Sequence, residues 1–266
     1  MRSLNTALAC GQYWFKRKLA SFDTGSKRKV FQHRGYCPIC EKAVTFHADD
    51  AWFRDHLVCS DCSSIPRERA LFKVLADYFP NYRDLAIHES SPCGRGASVK
   101  LNALCKGYSA SQYYPDVAPG EVHPQSGYRC ENLEELTFPD NSFDLFVTQD
   151  VMEHIFDSGK AFQEIARVLR PGGAHIFTAP LINKVKKSEC WASRAENGSV
   201  VYHHPAEYHG NPIDENRALV TMHWGYDIAS FITRVAGMPT VIVMIDDIDK
   251  GIRAEYIDVI ASFKAE

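Results

Sequence analysis

Four cysteines near the start of the chain lie in two CxxC turns. The first turn is Cys37-Pro-Ile-Cys40, and the second, Cys59-Ser-Asp-Cys62, follows after 18 intervening residues. Each turn brings two thiolates to one side of the backbone, and this spacing is typical of a tetrahedral Zn²⁺ site. Because four thiolates leave no open coordination position, we expect a structural zinc. The pattern predicts a zinc ribbon over residues 36–65, with short strands at 44–46 and 52–58.

A second candidate site follows a short apolar run at residues 84–89. The run leads directly into Ser90-Ser-Pro-Cys-Gly-Arg-Gly, after which residues 98–104 have a helical pattern. A strand, a glycine-containing turn and a helix in this order are where parallel α/β sheets bind nucleotide-like ligands. Gly94 and Gly96 would let the backbone approach such a ligand closely.

Strand and helix patterns alternate from residue 80 onward. Further strands are predicted at 108–113, 128–133, 143–148, 174–178, 241–245 and 256–263. Helices are predicted at 64–79, where Pro66 suits the first turn, and at 161–169, where Arg170-Pro-Gly-Gly ends the helix. This alternation favours an α/β fold with a mainly parallel sheet and helices on both faces.

Two stretches of this region resemble class I S-adenosylmethionine (SAM)-dependent methyltransferases of the type 11 kind. They read Leu136-Thr-Phe-Pro-Asp-Asn-Ser-Phe-Asp-Leu-Phe-Val-Thr-Gln-Asp-Val-Met-Glu-His and Glu164-Ile-Ala-Arg-Val-Leu-Arg-Pro-Gly-Gly. The resemblance covers residues 80–264 and implies a Rossmann-like seven-stranded sheet with SAM as the cofactor. The ribbon, His209-Gly-Asn-Pro-Ile and Leu219-Val-Thr-Met-His-Trp-Gly-Tyr-Asp-Ile resemble a subgroup with an N-terminal zinc ribbon.

The resemblance also implies which residues hold SAM. They are Glu89, Gly94, Gly96, Gln112, Asn132, Leu133, Gln149 and Asp150.

Three positions depart from the general family pattern. Pro92 replaces the first glycine of the loop, and Glu89 stands one place earlier than the usual acid. The acid that usually ends the second strand and holds the ribose hydroxyls is missing. Ser111-Gln112 occupies that region, and an amide bonds a diol less strongly than a carboxylate. Asn132, beside Glu131, stands where an acid usually contacts the adenine amine, and its amide oxygen can accept that hydrogen bond.

Residues 181–225 form a long segment with little periodicity that is rich in histidine and aromatic residues. Such segments are often lids or binding loops, so we place the acceptor of the methyl group there. Oxygen and nitrogen nucleophiles often need a base, and histidine is the usual one near neutral pH. His209 and His223 are the candidate bases, with hydrogen-bonded structural histidines as the alternative. Acceptor contacts are predicted for His154, Tyr202, His204 and Trp224, and ligand spacing does not support a second metal at His203, His204 and His209.

Three classes of function compete. Methyl transfer to a hydroxyl or amine of a small-molecule or carbohydrate acceptor is favoured by the net charge of −3 and by the aromatic segment. An RNA base methyltransferase is the alternative, because residues 1–35 carry eight Lys or Arg against one acid. The Asn-Pro-Pro-Tyr type of motif found in amino-directed nucleic-acid enzymes is absent, and Gln149-Asp150-Val151-Met152 stands there instead. A non-catalytic SAM-binding or scaffold module is the third class.

Composition sets the remaining bounds. The 266 residues are 45% hydrophobic, which suits a globular chain with one full domain and a small module. We divide it into a basic arm at 1–35, the ribbon at 36–65 and a methyltransferase domain at 66–266. No apolar run approaches about 18 residues, so no membrane span is expected. Nine cysteines with two CxxC pairs and no secretory signal pattern lead us to expect a reducing, cytoplasmic setting.

Overall fold

The computed structural model describes residues 30–210 and 217–266. Most of the basic arm predicted at 1–35, and the Asn-Pro-Ile part of the motif that begins at His209, lie outside the described residues.

Residues 31–59 form a small antiparallel sheet of three strands. These are β1 (Phe31–Cys37), β2 (Lys42–Ala48) and β3 (Val58–Cys59). The prediction of a strand over 52–58 is wrong for most of that range, because a four-residue helix, α1 (Phe53–His56), precedes β3. The Trp52 backbone N–H donates to Asp50 at 2.6 Å, and its indole N–H donates to Asp55 at 3.0 Å. Such local hydrogen bonds compete with strand pairing.

A longer helix, α2 (Pro66–Tyr78), follows the ribbon within two residues of its predicted start. Pro66 occupies the first turn, where its missing N–H costs nothing. The carboxylate of Glu68 accepts the backbone N–H of Ile65 at 3.1 Å, which satisfies one of the free donors at the helix start.

The described chain has further strands after the ribbon. In chain order, they are β4 (Ala86–Ser90), β5 (Gly107–Gln112), β6 (Arg129–Cys130), β7 (Phe143–Gln149), β8 (Leu169–Thr178), β9 (Glu189–Cys190), β10 (Ala192–Arg194), β11 (Val200–Tyr202), β12 (Tyr208–His209), β13 (Ala218–Leu219), β14 (Met222–His223), β15 (Thr240–Val243) and β16 (Val259–Phe263). Seven of them form the central sheet, in the order β15-β16-β8-β7-β4-β5-β6. Strands β4 to β8 of this sheet pair in parallel, and β16 is antiparallel to both of its neighbours. The predicted Rossmann-like, mainly parallel seven-stranded sheet is confirmed.

Helices cover both faces of this sheet. Besides α2, they are α3 (Gly96–Leu104), α4 (Ser158–Val168) and α5 (Ile228–Ala236). On β7, Leu145 and Val147 join the apolar cluster with α2, α3 and the ribbon, whereas Phe146 joins the cluster with α4 and α5. Successive side chains of a strand point to opposite faces, so one buried strand serves both layers. The ribbon therefore shares a continuous core with the sheet.

The segment over residues 181–225 has regular structure that its sequence does not reveal. Its six strands, β9 to β14, form three two-stranded antiparallel sheets. Strands of two or three residues are too short to show an alternating pattern. Thr221 fixes the segment over the end of β7, since its backbone N–H donates to the carbonyl of Glu153 at 2.8 Å.

Within residues 30–210 and 217–266, no helix combines the length and the apolar character needed to cross a bilayer.

Candidate functional site

The four cysteines of the ribbon converge on one point. The Sγ atoms of Cys37 and Cys62 are 3.9 Å apart, and those of Cys40 and Cys59 are 3.8 Å apart. Sulfur atoms bound to one tetrahedral zinc at about 2.3 Å are about 3.8 Å from one another. The geometry of the four thiols therefore suits a tetrahedral metal.

Arg69 braces the ribbon against the rest of the chain. Its guanidinium is fully buried and donates to the carbonyl of Gly251 at 2.7 and 3.0 Å and to that of Leu57 at 2.8 Å. It also donates to the Ser64 carbonyl and, at 3.1 Å, to the Ser64 hydroxyl. The Ser64 hydroxyl in turn lies 3.1 Å from the sulfur of Cys62, so Arg69 connects the four cysteines to the loop before β16.

Two further arginines reach the end of β7. Arg54 and Arg67 place nitrogens 2.6 and 3.0 Å from one carboxylate oxygen of Asp150, and the Thr178 hydroxyl donates to the other at 3.0 Å. Burial alone would raise the pKa of Asp150, but the two guanidiniums outweigh it and hold the pKa below its usual value. Asp150 thus anchors the ribbon, and we found no oxygen of it left without a partner in the described chain. Its predicted contact with SAM stays a prediction.

Buried acceptors without partners lie at the carboxyl ends of β5 and β7. Gln112 is 5% exposed, and neither its Oε1 nor that of Gln149 has a hydrogen-bond partner within the described residues. Both strands are parallel to β4, so these oxygens lie at the same sheet edge as the glycine loop. Unpartnered buried acceptors are costly unless a ligand supplies donors. The predicted contact of Gln112 with SAM stays a prediction.

The glycine loop is closed by α2. Gly96 has a φ of +54°, and a side chain there would collide with the carboxylate of Glu68. Arg95 pairs with that carboxylate at 2.7 Å. Gly96 is therefore required by backbone conformation and by Glu68, in addition to any ligand. Gly94 is half-buried in the same loop.

Glu89 is the next-to-last residue of β4 and is completely buried. Its carboxylate accepts hydrogen bonds from Ser98 at 2.7 Å, Tyr108 at 2.7 Å and Gln149 at 2.8 Å. Burial raises its pKa, although these donors oppose the rise. The geometry gives Glu89 a role in holding the loop, the helix α3 and Gln149 together.

The two residues predicted near the adenine differ in what they offer. The Asn132 Oδ1 accepts the backbone N–H of Glu134 at 3.0 Å, which leaves one lone pair of the amide oxygen. Leu133 is 4% exposed and packs in the apolar cluster on the α4 side of the sheet.

A cluster of histidines and carboxylates lies just beyond the end of β7. We call Glu153, His154, Glu207, His209 and His223 the histidine–glutamate cluster. The His223 Nε2 is 3.0 Å from Oε2 of Glu207, and the His209 Nε2 is 3.4 Å from the other oxygen of Glu207. The Oε1 of Glu153 lies 3.8 Å from ring nitrogens of both His154 and His209. The segment over residues 181–225 thus brings both predicted bases to the sheet edge.

Burial controls the charge of two members of this cluster. Glu153 is 1% exposed, and burial, aided by the nearby charge of Asp150, raises its pKa well above the ordinary value. Burial also lowers the pKa of His154, whose Nδ1 lies 2.8 Å from the carbonyl of Leu219. A carbonyl can only accept, so Nδ1 carries the proton and Nε2 keeps a lone pair.

The residues predicted to contact the acceptor differ in their exposure to solvent. Trp224 is completely buried and packs near Phe162 and Phe231, so the prediction that it contacts an acceptor is corrected to a core position. Tyr202 is 49% exposed on β11, and the His204 ring stacks on Trp191 at 4.0 Å. For Tyr202 and His204, acceptor contact stays a prediction.

Sequence reasoning missed Glu153, Glu207 and the Arg54–Asp150 pair. Glu153 offered a signal, because it directly precedes His154 at the end of the motif after β7. Arg54 offered none, since 95 intervening residues separate it from Asp150 and the ion pair exists only in the folded chain.

The site combines a glycine loop with unpartnered acceptors, at the carboxyl ends of parallel strands whose sheet has helices on both faces. Such an arrangement is typical of a site for a nucleotide-type cofactor.

Residues 92–177 match the family model described as a methyltransferase domain. The chain is 34% identical over 91 residues to a protein of Mycolicibacterium smegmatis named Probable S-adenosylmethionine-dependent methyltransferase, covering 33% of this chain and 35% of that protein. It is 27% identical over 124 residues to the ubiquinone/menaquinone biosynthesis C-methyltransferase of Hydrogenovibrio crunogenus, covering 42% and 49%.

A solved structure, an S-adenosylmethionine-dependent methyltransferase from Mesorhizobium loti, aligns with a TM-score of 0.48 at 13% identity, covering 73% of this chain and 98% of that one. The chain spans between about a third and a half of the length of the two curated relatives described above. The domain match over residues 92–177 and the two curated relatives support a class I SAM-dependent methyltransferase domain in that part of the chain.

Replacement of Asp150 tests the anchor. Asp150→Asn removes the carboxylate that two largely buried guanidiniums share, while Arg67 keeps its contact with Asp55 at 2.9 Å, so we expect the free energy of unfolding to fall by about 3 kcal/mol at pH 7. Because the folded-state pKa of Asp150 is depressed, its contribution is complete above about pH 4 and is lost as the pH falls toward the folded pKa. Urea unfolding at pH 7 and at lower pH measures both effects.

Asp77→Asn is the matched control for this substitution. Asp77 pairs with Lys73 on an exposed helix surface, where the loss should stay within about 0.5 kcal/mol. Equal losses in the two variants would contradict the anchor role of Asp150.

Proposed function

We propose that this protein transfers the methyl group of SAM to a hydroxyl, or an amine, of a small-molecule or carbohydrate acceptor. The observation that carries the proposal is the position of the histidine–glutamate cluster, which lies just beyond β7 at the sheet edge that holds the unpartnered oxygens of Gln112 and Gln149. A cofactor site and a proton-accepting cluster at one edge are what transfer of a methyl cation to a protonated nucleophile requires.

The chain's own residues would hold the cofactor in a defined orientation. Gln112 would accept hydrogen bonds from the ribose hydroxyls, and Asn132 would accept one from the adenine amine. The loop with Gly94 and Gly96 would lie against the amino-acid part of SAM. Glu89 would hold this loop in place through its hydrogen bond with Ser98. When bound, SAM supplies a methyl group that is already activated by its sulfonium.

Within the cluster, His223 is the better base. Its Nε2 is hydrogen-bonded to the carboxylate of Glu207, which fixes the tautomer and stabilises the imidazolium that forms when the other nitrogen takes a proton. His223 is 8% exposed and stacks on Trp191 at 3.8 Å, so its ring is held in one orientation. His209 has longer contacts with its carboxylates and would position the acceptor.

The surface beside the cluster suits a carbohydrate. Trp191 stacks on His204 and His223, and the exposed aromatic side chains here are those of Tyr202 and Tyr208, at 49% and 41%. Sugar rings pack their apolar faces on such aromatic side chains. An RNA acceptor remains the second candidate, on the basis of the basic arm in the sequence.

The role of Gln112 is tested with the cofactor alone. Gln112→Leu keeps the size of the side chain but removes the acceptor. We expect the Kd for SAM to rise about 10-fold, because a 10-fold change corresponds to the net free energy of one to two hydrogen bonds. Isothermal titration calorimetry gives the Kd. Gln32→Leu, on the exposed face of β1, serves as the control and should bind as the wild type does. A wild type that gives no heat with SAM would favour a scaffold.

The base is tested by transfer from methyl-labelled SAM to a panel of carbohydrates, nucleotide sugars and short RNAs. His223→Asn should lower kcat by about 100-fold, the usual effect of losing a general base, and leave the Kd for SAM unchanged. His203→Asn, an exposed histidine of the same segment, is the control. Label in the RNA alone, with binding that weakens steeply with salt, would reject the carbohydrate acceptor.

We further propose that the ribbon cysteines hold a structural zinc. Cys62→Ser should remove one zinc per chain and destabilise the ribbon, because a structural site contributes its binding energy to folding. Elemental analysis of the purified protein counts the metal. Cys190→Ser changes an exposed cysteine elsewhere and should leave the count unchanged. A wild-type protein that contains no zinc would contradict this proposal.

A further inference from the structure

A buried carboxylate lies at the centre of the histidine–glutamate cluster. Glu153 is 1% exposed, and both of its carboxylate oxygens lack a hydrogen-bond partner within the described residues. An isolated buried carboxylate is among the most costly groups in a protein, unless it is protonated, paired or bound to a metal. The other buried glutamates of the described chain, Glu68, Glu89 and Glu131, each have several donors.

Two imidazoles face this carboxylate. The Nε2 of His154 and the Nδ1 of His209 each lie 3.8 Å from the Oε1 of Glu153. The three residues each offer one ligand atom, and these three atoms lie within 4.8 Å of one another. Ligand atoms bound to one tetrahedral cation at about 2.0–2.1 Å are about 3.4 Å apart. Side-chain shifts on the order of 1 Å would therefore bring all three onto a common ion.

The surroundings orient both rings for metal binding. The Nδ1–H of His154 donates to the carbonyl of Leu219 at 2.8 Å, which leaves the Nε2 lone pair facing Glu153. The Nε2 of His209 lies 3.4 Å from Glu207, which His223 holds in place at 3.0 Å. Metal-binding histidines almost always donate their other N–H to a carbonyl or a carboxylate in this way.

We propose that Glu153, His154 and His209 bind a divalent transition-metal cation such as Zn²⁺. This site is separate from the four thiolates of the ribbon. Two imidazoles and one carboxylate are a donor set for Zn²⁺, Fe²⁺ or a similar cation, and three protein ligands leave a position open. The metal site itself is independent of methyl transfer. Its use, which rests on the proposed function, is to bind the acceptor hydroxyl at the open position while His223 takes the proton.

The test is calorimetric titration of the full chain, with its ribbon already loaded with zinc, using Zn²⁺ alone as the probe. We expect the wild type to bind one further equivalent. Glu153→Gln and His209→Ala each remove a metal ligand and should weaken this binding at least about 100-fold. Glu207→Gln changes the carboxylate that holds His209 and should weaken it about 10-fold. His203→Ala, an exposed histidine of the same segment, should bind as the wild type does.

A wild type that takes up no zinc beyond the ribbon site would overturn the proposal, as would Glu153→Gln and His209→Ala variants that bind like the wild type. His209 is only half-buried, so its variant should fold even if Glu153→Gln does not, and near-ultraviolet circular dichroism checks this. SAM titrated into the same samples separates the two proposals. SAM binding without the second zinc rejects only the metal site, and the second zinc without SAM binding rejects only the proposed cofactor.

Discussion

The ion pair of Asp150 with Arg54 and Arg67 is the interaction on which the arrangement of this molecule depends. It joins the end of β7, where the candidate chemistry lies, to the ribbon and the start of α2. All three side chains are less than a fifth exposed, so neither charge can be satisfied by water if the other is withdrawn. Asp150 also has a φ of +52°, a conformation that few residues other than glycine adopt, so the backbone there is held as well.

This constraint couples the ribbon to the central sheet. The ribbon positions Arg54, and α2, which leads away from it, carries Arg67, Glu68 and Arg69 within three residues. Arg67 reaches the end of β7, Glu68 closes the glycine loop, and Arg69 holds the ribbon. One turn of helix thereby couples the shape of the ribbon to the shape of the cofactor site.

The buried glutamates of this region differ in their hydrogen-bond partners. This difference indicates which of them have a structural role. Glu68 has a guanidinium and a backbone N–H, and Glu89 has three side-chain donors. Both carboxylate oxygens of Glu153 lack a hydrogen-bond partner within the described chain, and two imidazoles face them instead. A buried carboxylate without such partners is a candidate functional group.

Much of the fold was predictable because its signals are local. The strands β4, β7 and β8 are buried apolar runs, and the glycine loop and the CxxC turns are short motifs, so their types and spacing indicate what they form. The small sheets of residues 181–225 were not predictable, because strands of two or three residues carry no periodicity. Trp224 was assigned to the acceptor site because it follows His223, but it is buried in the core. The sequence around an aromatic residue does not indicate whether its side chain faces a ligand or the core.

The candidate site was predictable only in its named histidines and in the sheet edge. Glu207 meets His223 across 15 intervening residues, and Arg54 meets Asp150 across 95, so neither contact leaves a pattern in the sequence. Pairs of this kind are set by tertiary packing, which brings loops together after the sheet has formed.

The most direct test of the account is a crystal structure of the protein with S-adenosylhomocysteine. The account predicts a ribose hydrogen-bonded to Gln112 and a sulfur atom directed toward Glu153, His209 and His223. A complex in which the nucleoside lies elsewhere, or in which the sulfur faces away from these three side chains, would contradict it.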